Sequence, residues 1–258
     1  MGKTSTIVHC RSEGSRRRIR ASFPVFIPAN LRRSCPQIQI RSPRSNVCDV
    51  CTIFHLQSIR SGVTADKSEA QAKHVADSAA RTLRLDNACK NAGATRGVTT
   101  MDSAQNVALP HLAETPSKWT VGKGSNEVVS MMDKYPRDAN IYDDTRSGGK
   151  CWEVFADNCA GQNKNNTVIM FLLFLTHAKH LNEAKLLFFV TGHTKNNCDR
   201  GFGNIKRRYA RRDIWSLREL AKVVQDSVTS NYCILLESSP VFRTFNDTLK
   251  MLYKDLKG

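Results

Sequence analysis

No apolar stretch in this chain of 258 residues runs beyond the eight from Val168 to Leu175, far short of the roughly 20 that a helix needs to cross a bilayer. A membrane-spanning protein is thereby excluded. The N-terminus lacks the apolar segment of a secretory signal, and the nine cysteines, at 10, 35, 48, 51, 89, 151, 159, 198 and 233, are an odd and scattered set. Both absences argue against a disulfide scaffold and leave metal ligation and buried free thiols as uses for the sulfur. Internal repeats are missing too, which disfavours a solenoid. Trp119, Trp152 and Trp215 show no regular interleaving with basic residues, so they are expected to pack rather than to form a platform for bases. Acid is scarce beside base. There are 23 Asp+Glu against 39 Lys+Arg, a net charge of +16, so an acidic partner is expected, with nucleic acid first. At 40% hydrophobic residues the chain can still build a core, which excludes wholesale disorder.

The charge is uneven. Residues 1–60 carry a net +9, residues 61–160 a net −1, and residues 161–258 a net +8. The first sixty set Arg16, Arg17, Arg18, Arg20, Arg32, Arg33, Arg41 and Arg44 among Ser and Pro without helical or strand periodicity, and read as a loose basic arm. Such an arm suits DNA and a nuclear location, while its Arg/Ser-rich, acid-poor composition also fits a mitochondrial transit peptide. Gly2-Lys3-Thr4 imitates the end of a phosphate loop but lacks the upstream glycine and preceding strand.

Residues 61–94 form a helical segment. Asp66 can cap a helix running to about Asn91, with Ala72, Ala76, Ala79 and Leu83 on one face; His74 falls off that face and reads as a surface histidine. From 95 to 230 an α/β order emerges. A strand at 97–101 ends in Asp102, a helix from Ser125 closes at Pro136, and a strand at 152–156 ends in Asp157. A buried helix from Gln162 to about His180, a strand at 184–190 and a final basic helix opened by Asp199 follow, and residues 231–258 are a tail or helix.

Carboxylates at the carboxyl ends of neighbouring strands project into one crevice, and a third on an adjoining helix can close it. Oxygen donors of that kind suit Mg²⁺ or Mn²⁺, and two such ions support phosphodiester chemistry. Asp102, Asp157 and Asp199 are the candidates, with helix capping as the competing role for each.

Ala156-Asp-Asn-Cys-Ala-Gly-Gln-Asn-Lys-Asn-Asn166 and Gly192-His-Thr-Lys-Asn-Asn-Cys-Asp-Arg-Gly-Phe-Gly203 resemble motifs of a family of transposon-derived eukaryotic proteins. Met101-Asp-Ser-Ala-Gln-Asn-Val-Ala-Leu-Pro110 and Cys48-Asp-Val-Cys51 resemble that family's upstream motif and cysteine pair, so the likeness covers roughly residues 44–230. Such proteins are similar to DDE-type transposases with an RNase H-like core. The resemblance implies DNA as partner, a divalent metal, and Asp102, Asp157 and Asp199 as first, second and third acids, with His193 an alternative to Asp199 as ligand or proton carrier. An RNase H-like core has three antiparallel strands before its first helix. Eighteen residues between Asn106 and Ser125, broken by Pro110, Pro116, Gly122 and Gly124, leave little room for two of them, so the second and third strands read as lost after Trp119.

Asn158, Gln162 and Asn163 cluster around Asp157, where amides can orient a carboxylate or bind phosphate oxygens; capping of the next helix is their other use. Cys35, Cys48, Cys51 and His55 offer three thiols and an imidazole for zinc, in a spacing that is not a standard finger, with free or buried thiols as the alternative. Arg200, Lys206, Arg207, Arg208, Arg211 and Arg212 supply six cations with no acid between them, a surface for a phosphate backbone or a solvated basic face.

Overall fold

A computed structural model describes residues 48–60, 62–102, 124–142, 150–159, 161–193, 196–233 and 242–254. Cys35, the stretch around Trp119 and the Arg-rich part of the arm lie outside the described residues. Three strands form one parallel sheet in the order β1 (Arg96–Met101), β2 (Cys151–Ala156), β3 (Glu183–Phe188). Register pairs Met101 with Ala156 and Ala156 with Phe188, so all three strands end at one edge.

Parallel strands joined by helical crossovers are covered on both faces, and here the alternation along each strand divides two cores. Trp152 and Val154 point into the larger one, against Val128, Val129 and Met132 of α3 (Ser125–Asp138), Val168, Phe171 and Leu175 of α4 (Asn166–His177), and Leu249 of α7 (Phe245–Leu252). The Trp152 indole N–H donates to Thr99 Oγ1 at 2.9 Å, so its one polar group is satisfied inside the core. Trp215, expected to pack as well, is 64% exposed. On the opposite face Val98, Phe155, Leu187 and Phe189 meet Leu85 and Ala88 of α2 (Ala65–Lys90). Buried Glu153 lies on that face as well, held by Arg96 at 2.8 Å and Lys185 at 3.9 Å from the flanking strands.

Several elements depart from expectation. Residues 49–60, read as the end of an irregular arm, form helix α1 (Asp49–Arg60). Helix α2 turns inward not the alanine face but Gln71, His74, Ser78, Leu85 and Ala88; Ala72, Ala76, Ala79 and Leu83 are exposed. Its inner stripe is polar at one end because that end meets thiols rather than a hydrophobic core. Helix α3 continues past Pro136 to Asp138, since a proline in the last turn removes one hydrogen bond while its ring is buried. The residues from Gln162 to Asn165 make a turn and a cap instead of the first turn of α4: the Cys159 carbonyl accepts from the amides of Gln162, Asn163 and Lys164, and Asn165 caps Val168. After α5 (Asn197–Tyr209) comes α6 (Leu217–Gln225), which the sequence reading did not give, while α7 lies in the segment read as a tail or helix. The start of α6 is written in Ser216 and Glu219, a reciprocal capping box. Among the described residues no helix is long and apolar enough to cross a membrane.

Candidate functional sites

Asp102 and Asp157 directly follow Met101 and Ala156, which are register partners, so the two carboxylates leave adjacent strands at the same level. Carried one residue further, the alternation turns both toward the face that bears Thr100 and Phe155. Helix α5 reaches the same place. Its Cys198 thiol donates to the Thr100 carbonyl at 3.4 Å, and Asp199 follows in its first turn. Burial pushes the Cys198 thiol up to about 12, and the charges of Asp102 and Asp199 add to the shift, so both carboxylates bear on one buried sulfur. Sequence order and topology thus set Asp102 and Asp157 after the paired ends of β1 and β2, with Asp102 and Asp199 both acting on the Cys198 thiol.

Their present partners are protein groups. Asp157 accepts from the side-chain amide of Asn163, which is itself buried. Asp199 accepts from the Asn196 N–H at 3.2 Å, its half of a capping box that opens α5. Asn158 donates to Thr191 at 3.4 Å, linking the ends of β2 and β3, and Gln162 enters the turn before α4 through its main-chain N–H. Of the amides expected around Asp157, Asn163 is the one bonded to it.

Among the described residues, the group of metal-type donors close enough together to hold an ion lies elsewhere, and the three carboxylates form no such group. Cys48, Cys51, His74 and His193 bring four ligand atoms within 4.8 Å of one another. Cys48 Sγ is 3.1 Å from His74 Nε2, Cys51 Sγ is 3.3 Å from His193 Nε2, and the two imidazoles meet edge to face with centroids 5.0 Å apart. Two thiols and two imidazoles are donors suited to zinc and unsuited to Mg²⁺. Two residues of the expected set fall in this group. Cys48 and Cys51 contribute, but His55 is exposed on α1 and outside the group, and Cys35 is not described. His74, read as a surface residue, and His193, assigned to the acids, supply the nitrogens. A signal for His74 existed, since Gln71 and His74 lie three residues apart on one helical face. Nothing local could pair His193 with a cysteine 142 residues away.

Two details fit this group together. Gly192 has φ +79°, a left-handed conformation, and a Cβ there would lie 2.5 Å from the Cys48 Cα, so only glycine lets the turn after β3 press against the start of α1. Gln71 donates to Cys51 Sγ at 3.2 Å, a bond of the kind that orients a ligating thiolate from outside. All seven described cysteines are free, as expected for a chain without a disulfide framework.

Among the six cations, Arg200, Lys206, Arg207, Arg211 and Arg212 are exposed; Arg208 is half-buried and faces Asp226 at 3.7 Å. The opposite side of α5, Phe202, Ile205 and Tyr209, packs on Ala221 and Val224 of α6.

Residues 122–256 match the family model described as "Domain of unknown function (DUF7869)", more than half of the chain. The chain belongs to that family. Neither the curated proteins nor the solved structures hold a match. The DUF7869 segment takes in β2, β3 and α3 to α7, and with them Asp157, His193, Asp199 and the basic face of α5. It begins after β1, so Asp102, Cys48, Cys51 and His74 belong to the part of the chain that precedes it.

Proposed function

We propose that this protein is a transposon-derived, DNA-binding protein of the nucleus whose core is RNase H-like and whose Asp102, Asp157 and Asp199 hold Mg²⁺ or Mn²⁺ for strand cleavage or transfer. The observation that carries the reading is the register of Met101 against Ala156, which delivers the first two acids side by side at the strand ends while Cys198 ties the helix bearing the third to Thr100. Three parallel strands in the order β1-β2-β3 are also what an RNase H-like sheet retains when its second and third strands are absent. The exposed cations of α5 suit a phosphate backbone because they share a helix with Asp199, so DNA held by them lies beside the acids.

When bound, the ions supply charge neutralisation at the attacking and leaving oxygens. The chain itself holds the strand through α5, aims Asp157 through Asn163, and keeps Cys198 protonated between two carboxylates.

A second reading is a binding protein that has lost catalysis. It is favoured by the bond from Asn196 N–H to Asp199, which commits one oxygen of the third acid to capping. Thermal melting with Mn²⁺ or Mg²⁺ separates the two. A site loaded at a hundredfold its dissociation constant gains about 2.7 kcal/mol, a rise of several degrees, and Asp157→Asn cancels it. Nicking of a labelled duplex in Mn²⁺ then supports catalysis. An unchanged melting temperature with no nicking overturns the catalytic reading.

A further inference from the structure

We infer that Cys48, Cys51, His74 and His193 bind one zinc ion, and that this ion fastens helices α1 and α2 to the turn that follows β3. The inference concerns groups outside the carboxylate crevice and stands even if those acids are only caps.

Geometry comes first. A tetrahedral site with Zn–S near 2.3 Å and Zn–N near 2.05 Å has sulfur–nitrogen edges of about 3.6 Å. Two of the four such edges here measure 3.1 and 3.3 Å and every pair of donors lies within 4.8 Å, so those two edges open by a few tenths of an ångström around an ion. The four come from three separate places in the chain: the opening of α1, the middle of α2 and the end of β3. Binding releases the two thiol protons to solvent as two sulfur–metal bonds form, and each imidazole donates the Nε2 lone pair while keeping its proton on Nδ1. No electron is transferred.

Energetics point the same way. Helix α1 has twelve residues and buries none of them, with Val50, Ile53, Leu56 and Ile59 all exposed. A helix of that length is marginal on its own, and none of its residues enters a hydrophobic core cluster of the described residues. What it does have, besides Cys48 buried just before its first residue, is a sulfur cluster closed by His74 and His193 and a glycine that allows backbone contact at Cys48. A metal cross-link is the attachment that these residues can make.

The test uses the full-length protein purified without chelator. Metal analysis finds about one zinc per chain, and replacement by Co²⁺ gives the strong visible bands of a tetrahedral site with thiolate ligands. Cys51→Ser and His74→Ala lose the metal, whereas His55→Ala and Cys35→Ser keep it. Should the first two fail to fold, His193→Cys decides: it retains cobalt and strengthens the thiolate-to-cobalt band by about half, three sulfurs replacing two. Zinc-free protein, an octahedral cobalt spectrum, or loss of metal in His55→Ala with retention in His74→Ala overturns the inference. None of these readouts involves DNA or Mn²⁺, so they report on the zinc site alone.

Discussion

Replacing Gly192 by alanine puts a methyl carbon 2.5 Å from the Cα and 2.7 Å from the Cβ of Cys48. Both are atoms of the main frame, so no rotamer change relieves the clash, and the turn must move away from α1 by about 1 Å to reach an ordinary carbon–carbon separation. Holding a non-glycine residue at φ +79° costs about 1–2 kcal/mol, and overpacking a tight interface costs about 1–3 kcal/mol more. Together they cost about 3 kcal/mol, or a drop of roughly 6–12 °C in melting temperature for a chain of this size. The same 1 Å exceeds the roughly 0.2 Å tolerance of metal–ligand distances, so zinc is also surrendered more readily to a competing chelator. Gly203→Ala is the control: no atom lies within 4 Å of its added methyl, the site is exposed on α5, and alanine there stabilises by about 0.5–1 kcal/mol through helix propensity. If Gly192→Ala melts and holds zinc like the parent protein, the claim that this turn is wedged against Cys48 is wrong.

Binding of a DNA duplex weakens steeply with salt, and substituting the exposed quartet Lys206, Arg207, Arg211 and Arg212 by Ala reduces the slope of log K against log salt by up to about 3.6, at about 0.9 for each phosphate that is no longer neutralised; an unchanged slope removes α5 and the turn after it from the interface. Arg208 is left in place because it faces Asp226. Tyr142 is buried and donates to Asp133 at 2.8 Å; burial and then the Asp133 charge raise its phenol pKa. Its stabilisation is therefore present below the unfolded value near 10 and is lost as the pH climbs from there toward the higher folded value. Tyr142→Phe lowers stability by about 1 kcal/mol at neutral pH and makes the alkaline limb of the stability profile shallower; a profile that keeps its parental steepness above pH 10 refutes the assignment.

Local pattern carried the helix–strand order between 96 and 209, because amphipathic and buried periods depend on neighbours a few residues apart. It carried the placement of Asp102 and Asp157 at strand ends, the apolar face of Phe202, Ile205 and Tyr209, and the Cys48–Cys51 pair. It misjudged the inner face of α2, where a tally of apolar residues chose the alanines. The face turned inward there is set by what the helix meets, which is a thiol pair at one end and Phe155 and Leu187 at the other.

The sequence by itself determined the cationic character of the chain, the three acids in order and the Cys48–Cys51 pair, all of which are properties of composition or of spacing along a few residues. Only tertiary structure decided which histidines face those sulfurs. His74 lies 26 residues from Cys48 and His193 lies 142 from Cys51. Closing such loops is an entropic cost met by packing of the whole sheet, and no short motif encodes it. The parallel register of β1, β2 and β3 sets where the turn after β3 emerges, and Gly192 lets that turn come close enough for an imidazole and two thiols to share one point in space.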